Sequence, residues 1–79
     1  MHGTPDAIAS IRKCAQDGVR ILGVDGFVVA PDGFIAALDL ILDVSERNLT
    51  VAQAAAEAET FVDSKARPDV LWEVWTEAS

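Results

Sequence analysis

Four aspartates, Asp25, Asp32, Asp39 and Asp43, are the residues whose type and clustering come closest to chemistry, and two of them open a repeated Asp-Gly-Phe tripeptide. Carboxylates converging from one short loop would hold a hard divalent cation. Here successive acids stand 7, 7 and 4 residues apart, without the alternating acids, central glycine and distal glutamate of a calcium loop. No metal is therefore expected. Gly23, Gly26 and Gly33 match neither a dinucleotide nor a Walker phosphate loop, and the acids beside two of them would repel an anion.

Cys14 follows Arg12 and Lys13, cations of the kind that lower a thiol pKa. It falls in the middle of a predicted helix, however, and the only histidine is His2. A small buried hydrophobe is the expected role for this cysteine. No Ser-His-Asp set can be assembled. An enzyme is not expected. If there is one, Asp25, Asp32 or Asp39 at a subunit boundary would carry it, with no cofactor.

The elements that must position these residues belong to one domain spanning 1–79, because 79 residues with 51% hydrophobic content support one small core. A core of this size is often supplemented by oligomerisation. Thirteen acids against six bases, a net charge of -7, argue against nucleic acid and anionic membrane surfaces as partners, since both require cations. The charge would suit a basic partner. One cysteine excludes an internal disulfide. The first ten residues lack a signal-peptide pattern and no apolar run approaches a membrane span, so a cytoplasmic location is expected.

Along the chain, Thr4 as N-cap, Pro5 in the first turn and apolar Ile8, Ile11 and Ala15 predict a helix closing at Gly18. Residues 19–24 predict a strand. Asp25-Gly26 predicts a two-residue hairpin turn, with 27–30 as the returning strand. Ala30-Pro31-Asp32-Gly33 predicts a second turn. Residues 34–44 fit either an amphipathic helix or a strand. The preceding turn favours a strand, with Leu38, Leu40 and Leu42 buried and Asp39, Ile41 and Asp43 on the other face. Thr50 and Gln53 form a capping box before a second helix, which stops ahead of Pro68. Residues 69–75 alternate as a last strand. The expected fold is α+β, a small two-layer domain of order α-β-β-β-α-β with a mainly antiparallel sheet packed by helices.

Two signals remain. Between Ile21 and Glu46 there are five acids and no lysine or arginine. Apolar residues also occupy both strand faces: Ile21, Val24, Val28, Val29, Ile41, Leu71 and Trp75 cannot all lie beneath one helical layer. Either the helices cover opposite faces or one face meets another chain. The expected function is a non-catalytic protein-interaction module that engages a basic partner and self-associates as a homodimer. Its expected partner-binding residues are Asp39, Ile41, Asp43 and Trp75. A small-molecule-binding or regulatory domain is the alternative. Size and charge alone, with no motif behind them, give the class analogy of an immunity protein or antitoxin.

Overall fold

The computed structural model of the protein describes residues 1–77. Two helices, α1 (Thr4–Gln16) and α2 (Val51–Ser64), and three strands, β1 (Ile21–Ala30), β2 (Gly33–Asp43) and β3 (Val70–Thr76), follow one another as α-β-β-α-β. The strands form one antiparallel sheet of order β2-β1-β3. The α+β class and the two-layer domain read from the sequence are what the chain adopts. No helix among the described residues is long and apolar enough to cross a membrane.

The expected fourth strand does not exist, because Asp25-Gly26 is not a turn. β1 runs through it without a break, pairing Asp25 with Ile41 and Glu73 and Gly26 with Trp72. A type I′ turn needs positive φ at both central residues, and neither Asp25 nor Gly26 has it. The glycine is there for space. A Cβ on Gly26 would lie 2.8 Å from Leu40 Cβ and 2.8 Å from Trp72 Cζ3. The Pro31-Asp32-Gly33 turn does form, closing the β1–β2 hairpin with Gly33 at φ 136, a conformation open to glycine and little else.

Both helices lie on the same side of the sheet. There Ala7 and Ile11 of α1, Ala54, Ala58 and Val62 of α2, Ile21 and Val24 of β1, Leu40 of β2 and Val70 and Trp72 of β3 form one buried core. The alanines let α2 approach α1 and β1 closely. Arg12 ties the two helices through paired bonds to Glu59 at 2.8 and 3.0 Å. Trp72 is the largest fully buried side chain, with the Phe61 ring edge-on to it at 6.1 Å.

The start of α1 also differs from expectation. Gly3 is the N-cap, and no side chain caps the helix. The Thr4 hydroxyl instead accepts a bond from Trp72 Nε1 at 3.1 Å. A buried indole N–H needs an acceptor. Thr4→Val, isosteric but without the acceptor oxygen, is expected to cost about 1–3 kcal/mol in chemical denaturation; an unchanged midpoint would remove this bond from the account. Thr50 and Gln53 form the expected reciprocal capping box at the start of α2.

The stretch read as a strand over 34–44 is β2, which ends at Asp43, yet Leu38 is 89% exposed while Leu40 is buried and Leu42 half-buried. The reason is a bulge. Phe27 pairs with Ala36 and Asp25 with Ile41, so the single residue Gly26 of β1 is matched against four of β2. Ala37, Leu38 and Asp39 fall in the excess, where strict alternation of faces fails.

The hairpin also outruns the rest of the sheet. Pairing to β3 ends at Val28–Val70, whereas β1 and β2 stay paired to Ala30–Gly33. Ile35 is the register partner of Val28, on the helix side, yet it is 58% exposed. The helices therefore do not reach the hairpin tip. The outer edge of β3 is joined by His2, whose N–H and C=O bond Trp72 at 2.8 and 2.7 Å. The outer edge of β2 has no such partner among the described residues.

Candidate functional site

With both helices on one side, the other face of the sheet has no covering layer among the described residues. Residues paired across antiparallel strands share a face, so the open face can be read as rows about 7 Å apart along the strands. The first row is Asp43, Gly23, Trp75 and the second Ile41, Asp25, Glu73. The third is Ala36, Phe27, Leu71, and Phe34 with Val29 makes the last. One end of the face is thus acidic around two apolar residues, and the other carries no charge. Trp75 is 53% and Phe34 54% exposed.

Three of the four expected partner-binding residues therefore meet. Ile41, Asp43 and Trp75 line a depression of about 320 Å³ together with Gly23, Asp25 and Ser45. Asp39 does not join them, because it falls in the bulge. Asp25, which the sequence offers as a turn residue, a weighed metal ligand or a catalytic acid, instead accepts the Trp75 Nε1 bond through its Oδ2 at 2.8 Å. Nothing local marks that pairing; it appears only when Trp75 is brought beside β1 from 50 residues away.

Asp25 and Asp32, two of the acids offered as catalytic alternatives, stand well apart. Asp32 lies in the hairpin turn beyond Ala30, and the five residues from Asp25 to Ala30 alone span about 17 Å of strand. Among the described residues, no three His, Cys, Asp or Glu side chains are grouped to hold a metal ion. Cys14 behaves as a packing residue. Burial pushes its thiol pKa up and the Asp17 charge adds to this, outweighing Lys13. Two other open grooves exist, one at Leu42, Thr60 and Phe61 and one at Pro5, Pro68 and Leu71. In the first, the Glu57 carboxylate is engaged by Arg47, leaving few polar groups to orient a ligand.

The ion pairs explain the electrostatics of the face. Arg12 pairs with Glu59, Lys13 with Asp17, Arg20 with Glu77, Arg47 with Glu57, Arg67 with Asp69, and the N-terminal amine with Glu73. None reaches Asp25, Asp32, Asp39 or Asp43. Among the described residues, all four hairpin carboxylates lack a cationic partner, as do Asp6, Glu46 and Asp63 outside the hairpin.

Asp43 is instead held by Ser45. Its Oδ1 accepts the Ser45 hydroxyl at 2.6 Å and the Ser45 backbone N–H at 2.9 Å, and these bonds, the hydroxyl's first, hold its carboxyl below the usual range. A carboxyl whose folded pKa is depressed favours the fold above the unfolded pKa, near about 3.9. That contribution is lost as pH falls through the lower, folded value. Glu59 and Asp69, held down chiefly by side-chain bonds from Arg12 and Arg67, act with the same sign. In a carboxyl-carbon NMR titration, Ser45→Ala is expected to raise the Asp43 midpoint. An unmoved midpoint would exclude the Ser45 hydroxyl as the main cause.

The chain matches no protein-family model, no curated protein and no solved structure.

Proposed function

We propose that the protein is a non-catalytic protein-interaction module whose open sheet face and projecting hairpin engage a basic protein partner. The observation that carries this reading is the set of four hairpin carboxylates without cations, set among exposed Val29, Phe34, Leu38, Ile41 and Trp75. Unpaired charge of one sign steers an oppositely charged partner and speeds its association. Exposed aromatic and aliphatic side chains supply the contact that slows its release.

The test is kinetic. A protein retained from lysate by the immobilised chain is expected to associate about tenfold more slowly at physiological than at low salt, as steered encounters do. Asp39→Asn with Asp43→Asn is expected to lower that rate and flatten the salt dependence. Ile41→Ser with Trp75→Ala is expected to quicken dissociation. A partner indifferent to salt and to both pairs of substitutions binds elsewhere, and the reading fails.

Self-association is the second reading. Its support is the uncharged half of the face, where Phe27, Val29, Phe34 and Leu71 lie together, and the uncovered edge of β2. Against it stands a charge of -7 on each copy. Two uncharged rows across three strands also present only about 200 Å², against about 800 Å² per partner in a standard interface. Sedimentation at micromolar concentration, with and without Phe34→Ser, distinguishes the two readings.

A further inference from the structure

We propose that the depression at the acidic end of the open face seats an arginine side chain of the partner, its guanidinium stacked on Trp75 and bonded to Asp43 and Asp25; this rests on the interaction reading above and specifies the chemistry it recognises. Trp75 is the platform. Its indole is more than half exposed, while its N–H is fixed to Asp25 Oδ2 at 2.8 Å. The ring is thus held in place without being covered. Each flanking carboxylate is likewise oriented through one oxygen. Asp43 uses Oδ1 for both Ser45 donors and Asp25 uses Oδ2 for the indole. Among the described residues, no donor reaches Asp43 Oδ2 or Asp25 Oδ1, and both acids line the same depression.

Gly23 makes the floor. It stands between Asp43 and Trp75 in their row, buried among the strands, where a Cβ would collide with the Leu42 carbonyl oxygen. Arginine fits the depression better than lysine. Its guanidinium is planar, weakly hydrated and able to stack on an aromatic face while donating in its own plane to carboxylates. Beyond the depression the face continues through Ile41, Phe27 and Leu71, so the arginine is expected to be flanked by apolar residues.

The chain's own cations do not occupy the site. Arg20, which approaches this end, donates to the carbonyls of Ser45 and Arg47 and pairs with Glu77. All four arginines of the chain are in ion pairs. A second copy would therefore have to break a pair to offer one, which favours a basic partner as the occupant.

The test selects random heptapeptides displayed on phage against the immobilised protein, after depletion on a Trp75→Ala, Asp43→Asn variant. Recovered peptides are expected to be rich in arginine beside apolar residues. Binding is expected to shift the Trp75 indole N–H resonance and leave that of buried Trp72 in place. Replacing the arginine by neutral, isosteric citrulline is expected to weaken binding about tenfold, the combined loss of a cation–π contact and a charged bond, and lysine is expected to fall between. Asp43→Asn alone, which leaves the Trp75–Asp25 bond intact, is expected to shrink the arginine–citrulline difference. Peptides that bind this face without arginine, or equally with citrulline, overturn the proposal but leave the interaction module standing. Sedimentation as a dimer that shields Trp75 also overturns it, with a second copy as the occupant. Peptides that map away from the sheet face, or an empty selection, overturn both.

Discussion

Trp72→Ala is expected to leave the protein largely unfolded at room temperature. Trp72 is fully buried between the sheet and the helices. It touches Phe61 edge-on, covers Gly26 and bonds Thr4, so one side chain joins β3 to α2, β1 and α1. Trp-to-Ala changes in cores cost about 3–5 kcal/mol. Marginal stability of 0.05–0.15 kcal/mol per residue gives a chain of this length about 4–12 kcal/mol in total. The cavity would be deep, because Gly26 leaves no side chain to collapse into it. Urea unfolding followed by far-UV circular dichroism is expected to show a midpoint near zero denaturant or no cooperative transition. Trp72→Phe keeps a ring against Phe61 and Gly26 and should retain a transition at lower denaturant. A wild-type midpoint for Trp72→Ala would show that the core does not depend on this side chain.

Gly26→Val is expected to be nearly as damaging for the opposite reason. The first added carbon would lie 2.8 Å from both Leu40 Cβ and Trp72 Cζ3, closer than non-bonded carbons tolerate. Leu40 Cβ is attached to the β2 backbone and cannot rotate away, so the strands must separate or the indole must tilt. Overpacking of this kind costs about 1–3 kcal/mol and sometimes more. Coupling provides the sharper check. Gly26→Ala combined with Trp72→Leu is expected to destabilise by less than the sum of the single changes, because the smaller side chain removes part of the clash. Strict additivity in a denaturation cycle would mean that Gly26 is required for some other reason.

Elements whose signals are local were legible in the chain before it folded. The Thr50–Gln53 capping box, the Pro31-Asp32-Gly33 turn, the alternation of 69–75 and the apolar stripe of α2 each depend on residues within a few positions of one another. Backbone hydrogen bonding and dihedral preference act at that range. Composition was legible for the same reason: charge and apolar content are sums, independent of contacts, and they pointed to an acidic chain with more apolar strand surface than one helical layer can cover.

The remaining features depend on contacts between distant residues. Asp25-Gly26 has the local form of a hairpin turn, but the glycine serves Trp72, 46 positions further on, and no short window contains both. Thr4 has the form of an N-cap, but its hydroxyl is taken by that same indole. The alternation that buried Leu38 on paper fails at a bulge set by pairing register. The candidate site was half visible. Ile41, Asp43 and Trp75 stood out by type and by strand face, whereas Asp25 joined them through the unbroken β1–β2 register and the bond from Trp75, and Asp39 was displaced by the bulge. Which acids lack a cation could not be read from the chain, because an ion pair such as Arg12–Glu59 spans 47 positions and forms only after the helices dock on one side of the sheet. That one-sided docking leaves the other face open and its Asp25 and Asp43 without a cation, since two helices of 13 and 14 residues packed together cover one side of a three-stranded sheet and cannot cover both.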